Sequence, residues 1–226
     1  MLPSGSPFPC SWWGTDWPSL GSGGPRPVLP VYGPPGAAEL PPLPFALLGD
    51  LAWLRALPEQ AGHRIGDAAA DEVAAALPRL RRAASRRKVR LPETFTRFLA
   101  DPELHGRLRS LTDCTLDLPG KPARLGVGRG WLVRFLVDSQ GGQAWFLYLT
   151  PDGSDHAVVS SARIDLDAEE DELPAAEAAD FTFEAESFEA FLCRFWLGNE
   201  VGFAELDGTA PPAVAPEFLD FYRDRN

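Results

Sequence analysis

The chain has 226 residues, and 45% of them are apolar, including seven Trp and 14 Phe, which is enough for a well-buried core in one or two domains. Its 32 acidic and 21 basic residues give a net charge of -11, the wrong sign for holding a nucleic-acid backbone, so we expect no direct nucleic-acid partner. A basic protein surface is the partner that such a charge would attract, although surplus carboxylates are also the ordinary route to solubility.

The cysteines and the apolar runs predict a cytoplasmic protein. Cys10, Cys114 and Cys193 are far apart and lack CxxC spacing, so they indicate neither a disulfide framework nor a zinc site. No basic leader precedes the first Arg, Arg26, and no apolar run reaches the roughly 18 to 20 residues that a membrane span requires. We therefore expect a soluble chain in a reducing compartment, with no membrane partner.

Residues 1–45 are predicted to form an irregular arm, because they hold 12 of the 23 prolines and many glycines. Trp12, Trp13 and Trp17 are costly to leave in water. We expect the arm to lie over its own domain; the alternative is a docking peptide for another protein.

Residues 46–66 are predicted to form a helical connector. Four leucines recur at helical spacing and predict a helix over residues 45–57: Leu47, Leu48, Leu51 and Leu54. The α+β domain predicted over residues 67–226 begins with an Ala-rich helix at 67–77, which carries its acids in the first turn. Pro78 is expected to end or kink that helix.

The next segments pair a basic run with a second helical pattern. RLRRAASRRKVR, residues 79–90, contains seven of the 21 basic residues. It lacks interleaved aromatic residues, which favours a solvated helix face or linker over a nucleic-acid patch. LPETFTRFL then predicts a helix with Phe95, Phe98 and Leu99 on one stripe, and Pro102 starts another short helix through Leu108.

Residues 131–161 predict a three-stranded antiparallel meander. Apolar runs at 131–137, 143–150 and 156–161 are separated by SQGG and PDG, both strong turn compositions. Alternation places four residues of the first run on one face: Trp131, Val133, Phe135 and Val137. The middle run is apolar on both faces, so the sheet needs helical cover.

The acidic run DLDAEEDELPAAEAAD, residues 165–180, has eight carboxylates and no Lys or Arg, which predicts an exposed loop. Alternating acids at its start suggest a calcium loop only weakly, because the Gly that such a loop needs is absent. Ser187 then suits a helix cap, and five residues at i, i+3, i+4, i+7 and i+8 predict a helix covering the sheet: Phe188, Phe191, Leu192, Phe195 and Trp196. That helix is expected to bend or stop near Gly198, and a last helix is predicted over residues 216–222.

No catalytic centre is evident from the residues. Asp155 and His156 are adjacent in a predicted strand and point to opposite faces, so SDHAVVSS does not form a Ser-His-Asp triad. A pair of Cys114 with His105 lies in no nucleophile motif, and GVGRG at residues 126–130 precedes a strand, whereas a phosphate loop follows one. Three scattered His supply no metal site. We expect no enzyme activity, no cofactor and no metal.

The order of segments resembles the SUKH superfamily, which groups a fungal regulator of cell-wall synthesis with many bacterial immunity proteins against toxins. The resemblance rests on LPETFTRFL at residues 91–99, WFLYLTPDGSDHAVVSS at 145–161 and ESFEAFLCRFW at 186–196. It implies an α+β fold in which helices pack on an antiparallel or mixed sheet with a central meander. It also implies a binding protein with no catalytic residues.

The resemblance leads to a prediction of function and of partner-binding residues. The predicted function is an immunity-type module that binds and neutralises a toxin domain, which the acidic charge would suit if the toxin is basic. The alternatives are a regulatory scaffold without a toxin partner and a Cys-dependent hydrolase. The predicted partner-binding residues lie in the PDGSD turn and the acidic run: Asp152, Asp155, Asp165, Asp167, Glu169, Glu170, Asp171 and Glu172.

Overall fold

The computed structural model describes residues 43–67, 69–125, 130–151, 153–161 and 181–223. The helices are α1 (Ala52–Ala56), α2 (Ala70–Arg86), α3 (Glu93–Ala100), α4 (Pro102–His105), α5 (Phe188–Asp207) and α6 (Pro216–Arg223). The strands are β1 (Thr115–Leu116), β2 (Ala123–Arg124), β3 (Trp131–Val137), β4 (Ala144–Leu149), β5 (His156–Ser161) and β6 (Thr182–Ala185). The architecture is α+β, as the sequence predicts.

The sheet is antiparallel and has six strands in the order β1-β3-β4-β5-β6, with β2 also paired to β3. The predicted meander is confirmed as β3, β4 and β5. Strand β4 lies at its centre, with Trp131 opposite Leu149 on one side and Ala144 opposite Ser161 on the other. Strand β6 extends the sheet beyond β5 and was not predicted, because its four residues include an acid and follow the acidic run directly.

A bulge in β3 corrects one face assignment. The register with β4 shifts between Arg134 and Leu136, so Phe135 is the extra residue. Phe135 and Leu136 consequently both face the main core, and Val137 turns to the opposite face. The prediction that Val137 shares a face with Phe135 is wrong, because strict alternation ends at a bulge.

The two faces of the sheet bury separate apolar clusters. Trp145, Leu147 and Leu149 of β4 belong to the main core on the helix side. Phe146 and Tyr148 belong to a second cluster on the other face, where they are 3% and 0% exposed. The prediction that β4 is apolar on both faces is confirmed.

Helix α5 is the main cover of the helix side, and its start follows the predicted pattern. The Ser187 hydroxyl accepts a hydrogen bond from the Ala190 N–H at 3.1 Å. The helix does not stop near Gly198 but continues for 20 residues to Asp207, where Gly208 (φ 64°) ends it. A glycine in a helix interior costs about 1 kcal/mol, and the burial of nearly the whole helix outweighs that cost.

Two further helix boundaries differ from the prediction. Helix α2 runs from Ala70 through Pro78 to Arg86, so Pro78 does not end it. Pro78 and the residue one turn earlier, Ala74, are both exposed, so the carbonyl group that loses its N–H partner faces water. Helix α1 covers only residues 52–56, since Leu51 adopts φ 61° and Leu48 is 77% exposed.

The helices meet the sheet in a group of aromatic rings. Phe188 at the start of α5 lies 5.0 Å from Phe95 and 5.5 Å from Phe98 of α3, between ring centroids. It also lies 5.2 Å from Phe135 of β3. The α3 stripe is therefore buried against α5 and the sheet, as the sequence predicts.

The connector joins the same core as the helices. Leu51, Trp53 and Leu54 are buried in the main cluster, and Phe45 stacks on Trp53 with ring centroids 5.2 Å apart. The N-terminal arm is predicted to pack on its own domain. Residues 1–42 of that arm lie outside the described part of the chain.

Among the described residues, no helix combines the length and apolarity that crossing a membrane would require.

Candidate partner-binding surface

One shallow groove is lined by two of the three segments that carry the resemblance. It encloses about 170 Å³ beside the β4–β5 turn, and we call it the turn groove. It is lined by Arg90, Pro92, Glu93, Leu149, Gly153, Ser154, Asp155 and His156. The LPETFTRFL segment supplies one wall and the WFLYLTPDGSDHAVVSS segment supplies the other. The start of the third segment, at Phe188, lies directly beneath the second wall.

The turn itself is held by its own hydrogen bonds. The Thr150 N–H donates to the Asp155 carbonyl oxygen at 3.0 Å, and the Asp155 N–H donates to the Thr150 hydroxyl at 3.1 Å. The Asp155 carboxylate accepts from the His156 N–H at 2.8 Å. Gly153 adopts φ 67°, a conformation that side chains disfavour, which explains the DG sequence of this turn. Ser154 and Asp155 consequently project into solvent from a fixed backbone.

His156 connects the turn to α5. The Phe188 N–H donates to His156 Nε2 at 3.4 Å, so Nε2 is the acceptor and the ring proton lies on Nδ1. Burial lowers the pKa of His156, and the nearby Asp155 carboxylate opposes that shift. The neutral ring therefore satisfies a backbone donor in the first turn of α5.

The structure places only part of the predicted site. Asp155 is exposed and lines the turn groove, and its contact with a partner stays a prediction. Asp152 and the acidic residues 165–172 lie outside the described residues. Strand β5 ends at Ser161 and β6 begins at Thr182, so the acidic run belongs to the connection between the two outermost strands on this side of the sheet.

A basic surface adjoins the turn groove. The predicted solvated helix face is confirmed for the part of the basic run in α2, which stays helical to Arg86. We define the basic stripe as five exposed cations of this run, and they are Arg79, Arg82, Arg86, Lys88 and Arg90. A sixth exposed cation, Arg81, points instead to the Thr96 carbonyl oxygen at 3.5 Å. Arg90 belongs to both the stripe and the turn groove.

An aromatic residue lies beside the stripe that the sequence did not connect with it. The half-buried Trp131 ring has the guanidinium carbon of Arg124 at 5.4 Å and that of Arg87 at 6.0 Å from its centroid. Arg87 follows α2, far from Trp131 in sequence, and Arg124 lies on the neighbouring strand β2. Only the fold brings the two guanidinium groups to the Trp131 ring.

A buried polar cluster lies under α5 at the β5–β6 side of the sheet. Ser160 donates a hydrogen bond to the Glu184 carboxyl group, which is 1% exposed. Arg194 of α5 forms a two-bond ion pair with Glu186, at 2.7 and 3.1 Å. Burial raises the pKa of Glu184 to about 8, even though Ser160 and Arg194 oppose the shift. Burial also acts to raise the pKa of Glu186, but Arg194 outweighs it and holds that pKa below its usual value.

Glu184 predicts a specific dependence of stability on pH. Its folded-state pKa of about 8 exceeds the ordinary 4.5, so the folded protein binds one more proton than the unfolded chain between those values. The contribution of this group to stability is therefore complete below about 4.5 and is lost as the pH rises through about 8. Glu184→Gln mimics the protonated form and should stabilise the protein increasingly toward alkaline pH.

Urea unfolding of wild type and Glu184→Gln across this pH range provides the measurement. Other titrating groups, His156 among them, are common to both proteins and cancel in the difference. Gln140→Ala serves as the control, because Gln140 is exposed and carries no titratable group. A constant difference between wild type and Glu184→Gln over the whole range would contradict the raised pKa of Glu184.

The two described thiols are poorly suited to nucleophilic chemistry. Burial raises the pKa of Cys114 to about 11 and that of Cys193 to about 12, so both remain thiols at neutral pH. Cys114 Sγ lies 3.2 Å from the Thr112 hydroxyl, whereas His105 Nε2 bonds the Phe98 carbonyl oxygen at 2.8 Å. Cys114 and His105, the pair considered in the sequence analysis, thus each have other partners.

A second cleft, of about 320 Å³, lies between the connector and α4. Its walls carry charges that already neutralise one another, since Arg64 contacts Glu59 at 2.9 Å and Asp67 at 2.7 Å. His105 lines the cleft but is 2% exposed, and burial lowers its pKa. We therefore interpret the cleft as a polar contact between two segments of the same domain, and not as a binding site.

Neither a search for metal ligands nor comparison with known proteins assigns a further role to these residues. Among the described residues, no group of three or more His, Cys, Asp or Glu side chains is placed to hold a metal ion. Comparisons with protein-family models, curated proteins and solved structures gave no match to this chain.

Proposed function

We propose that this protein is an immunity-type binding module, which neutralises a toxin domain by covering it. The observation that supports the proposal is that two of the three SUKH-like segments line the turn groove, and the third donates a hydrogen bond to His156 in its wall. Sequence similarity confined to core residues would need no common surface, whereas the segments at residues 91–99 and 145–161 also share an exposed one. The turn at residues 153–155 is the part of that surface whose backbone is held by hydrogen bonds and where Ser154 and Asp155 are exposed.

The groove is too small to be the whole interface. A specific protein interface buries about 800 Å² on each partner, or some 20 to 30 residues. The contact must therefore extend from the groove over the β4–β5 turn and its surroundings. The predicted acidic residues would widen it, and the net charge of -11 would draw in a basic toxin domain by long-range attraction.

The direct test is to express the chain with a toxin domain encoded beside it and to measure growth protection and affinity. Ser154→Arg combined with Asp155→Arg places bulk and reversed charge in the turn groove without touching the core. We expect binding to weaken by at least about tenfold, because the change falls at the centre of the proposed contact. The control is Thr209→Arg combined with Ala210→Arg, at two exposed positions after α5.

The acidic run makes a separate prediction for association rates. Reversing Glu169, Glu170 and Glu172 to Lys should slow association with a basic toxin domain and leave the fold intact. High salt should slow wild type in the same way, because the screening length falls from about 8 Å at physiological ionic strength to about 3 Å at 1 M. If association rates respond to neither change, electrostatic attraction does not contribute to binding. If the double variant at Ser154 and Asp155 binds as tightly as wild type, the turn groove is not part of the interface.

A further inference from the structure

His156 links the turn groove to the helix layer through one imidazole ring. It is the first residue of β5, and it lies opposite Leu149 of β4 in the sheet. Its Nε2 atom accepts a hydrogen bond from the Phe188 N–H at 3.4 Å, and the same residue lines the turn groove. His156 therefore contacts both the first residue of α5 and the surface beside the β4–β5 turn.

The hydrogen bond to His156 satisfies one end of α5. The first N–H groups of a helix have no acceptor within the helix. In α5, the Ser187 hydroxyl accepts from the Ala190 N–H at 3.1 Å, and His156 accepts from the Phe188 N–H. The Phe188 side chain is 0% exposed among aromatic rings of α3 and β3, so this N–H lies next to the packed core. Because the bond is partly buried, a Phe188 N–H without its acceptor would be poorly hydrated.

Protonation of His156 is incompatible with this hydrogen bond. A neutral imidazole has one donor and one acceptor nitrogen, whereas an imidazolium ion has two donors and no acceptor. Protonated Nε2 would turn an N–H toward the Phe188 N–H, at the positive end of the helix dipole. Burial also disfavours the charged ring and lowers the pKa of His156. The ring must therefore leave α5 when it takes up a proton.

The charged groups that line the turn groove determine where the imidazolium ion moves. The Asp155 carboxylate accepts the His156 backbone N–H at 2.8 Å, which fixes it beside the ring, and its charge opposes the lowering of the pKa. On the opposite wall, Arg90 would repel the imidazolium ion, and Glu93 is already paired with Arg97 at 2.6 Å. Within the groove, Asp155 is therefore the favoured partner of the protonated ring.

The neighbouring elements have carboxylates that are already engaged elsewhere. The Glu189 carboxylate, in the first turn of α5, accepts three hydrogen bonds from the connector. Glu186, just before the helix, forms an ion pair with Arg194 at 2.7 Å. Glu184 of β6 accepts a hydrogen bond from Ser160, farther along β5. Among the described residues, these contacts leave Asp155 as the acid available to a protonated His156.

We propose that His156 is a pH-dependent latch between the β4–β5 turn and α5. The neutral ring binds the Phe188 N–H and holds the turn to the helix. The protonated ring releases Phe188 and pairs with the Asp155 carboxylate, which rearranges the turn groove. Helix α5 keeps its Ser187 cap in both states, so the change is confined to the turn. The latch concerns contacts within one chain and does not depend on the proposed toxin binding.

NMR titration of the full chain between about pH 8 and pH 5 tests the latch, because a histidine titrates in this range. We expect the His156 ring signals and the Phe188 amide signal to titrate with one common midpoint below 6.5. The amide signals of Gly153 and Ser154 should follow the same midpoint, because the turn moves with the ring. A Phe188 amide signal that does not follow the His156 ring would overturn the proposal.

His156→Gln keeps the contact with α5 and removes the titration. The side-chain oxygen of Gln takes the position of Nε2 as acceptor, and the amide group does not ionise. The Phe188 and Ser154 amide signals of this variant should therefore stay constant where those of wild type change. If they titrate as in wild type, another group is responsible and His156 is not the latch.

His63→Gln is the matched control for the loss of a histidine. His63 contacts Asp113 and Phe203 instead of the turn. The midpoint of the Phe188 amide signal should therefore be the same in this variant as in wild type. A midpoint that moves as it does in His156→Gln would show that the titration is not local to the latch.

Asp155→Asn tests the second position of the ring. Without this carboxylate the imidazolium ion loses its partner, so the midpoint of His156 should move to lower pH by roughly 0.2 to 0.7 units, the shift that corresponds to an exposed ion pair. An unchanged midpoint would remove Asp155 from the latch, and with it the proposed rearrangement of the groove.

The latch also predicts the sign of a change in stability. Because the folded-state pKa of His156 lies below the ordinary 6.5, the unfolded chain takes up this proton more readily. The contribution of His156 to stability is therefore complete above about 6.5 and is lost as the pH falls through the folded-state pKa. Urea unfolding should show that His156→Gln retains stability that wild type loses on acidification. A difference between the two proteins that stays constant across this range would overturn the proposal.

Discussion

Phe188→Ala is expected to destabilise the protein by about 3 to 5 kcal/mol, the range for truncating a fully buried Phe. Phe188 is 0% exposed, and its ring is surrounded by Phe95, Phe98 and Phe135 at centroid distances between 5.0 and 5.5 Å. Those three rings come from α3 and β3, so the cavity would open where helix layer and sheet meet. The neighbours are themselves fixed by other contacts and cannot collapse into the space.

Urea unfolding followed by circular dichroism measures the effect, with Leu206→Ala as the matched control. Leu206 lies on the same helix but is 52% exposed, so its truncation should change stability by no more than about 0.5 kcal/mol. If Phe188→Ala unfolds at the same urea concentration as this control, the ring does not occupy the junction between α3, α5 and the sheet.

Glu189→Ala is expected to cost a similar amount for a different reason. The Glu189 carboxylate is 4% exposed and accepts three hydrogen bonds, from the Gly49 N–H at 2.6 Å, the Leu51 N–H at 3.1 Å and Trp53 Nε1 at 3.2 Å. Alanine would leave these donors buried without an acceptor, and each unsatisfied buried donor costs about 1 to 3 kcal/mol. Water entering the space offsets part of the sum, so we expect a loss of about 3 to 5 kcal/mol.

Trp53 provides a local readout for this variant. Its indole N–H loses its acceptor, so the tryptophan fluorescence of the folded state should shift as well as the unfolding midpoint. Glu189→Gln retains one acceptor oxygen but turns an N–H₂ group toward the remaining donors, so it should lie between Ala and wild type. Asp207→Ala, an exposed acid at the end of the same helix, is the control and should be near neutral. Near-neutral behaviour of Glu189→Ala would mean that the connector is not held by this carboxylate.

Periodicity predicted the elements whose burial follows a simple repeat. The alternation in β4 and the stripe on α5 each arise because one set of side chains must leave water, and both faces of β4 and the first turns of α5 were placed correctly. The helix ends predicted at Pro78 and Gly198 are wrong, because helix propensity is only a local preference. Pro78 lies on an exposed side of α2, and Gly198 lies in a helix buried almost all round, so packing decides both.

The positions of the buried polar residues were harder to predict from the sequence than those of the apolar ones. Glu184, Glu189 and Arg194 are all buried, yet a charged residue in a sequence is normally expected to be exposed. The partners of Glu189 also lie more than 130 positions away along the chain. Asp155 could be placed in the candidate site because turn composition and a surface position go together. The approach of Arg87 to the Trp131 ring depends on how α2 packs, which the residues of α2 alone do not specify.

The hydrogen bond from Leu51 to Glu189 spans 138 positions of sequence, which has a consequence for how the protein is made. At a synthesis rate of about 5 to 20 residues per second, the ribosome needs on the order of 7 to 28 s to deliver Glu189 after Leu51 has been added. Throughout that interval Trp53 and its apolar neighbours have no α5 to pack against. The apolar segment near Trp53 is thus exposed to chaperones throughout that interval, and it can pack against α5 only when Phe188–Asp207 has emerged.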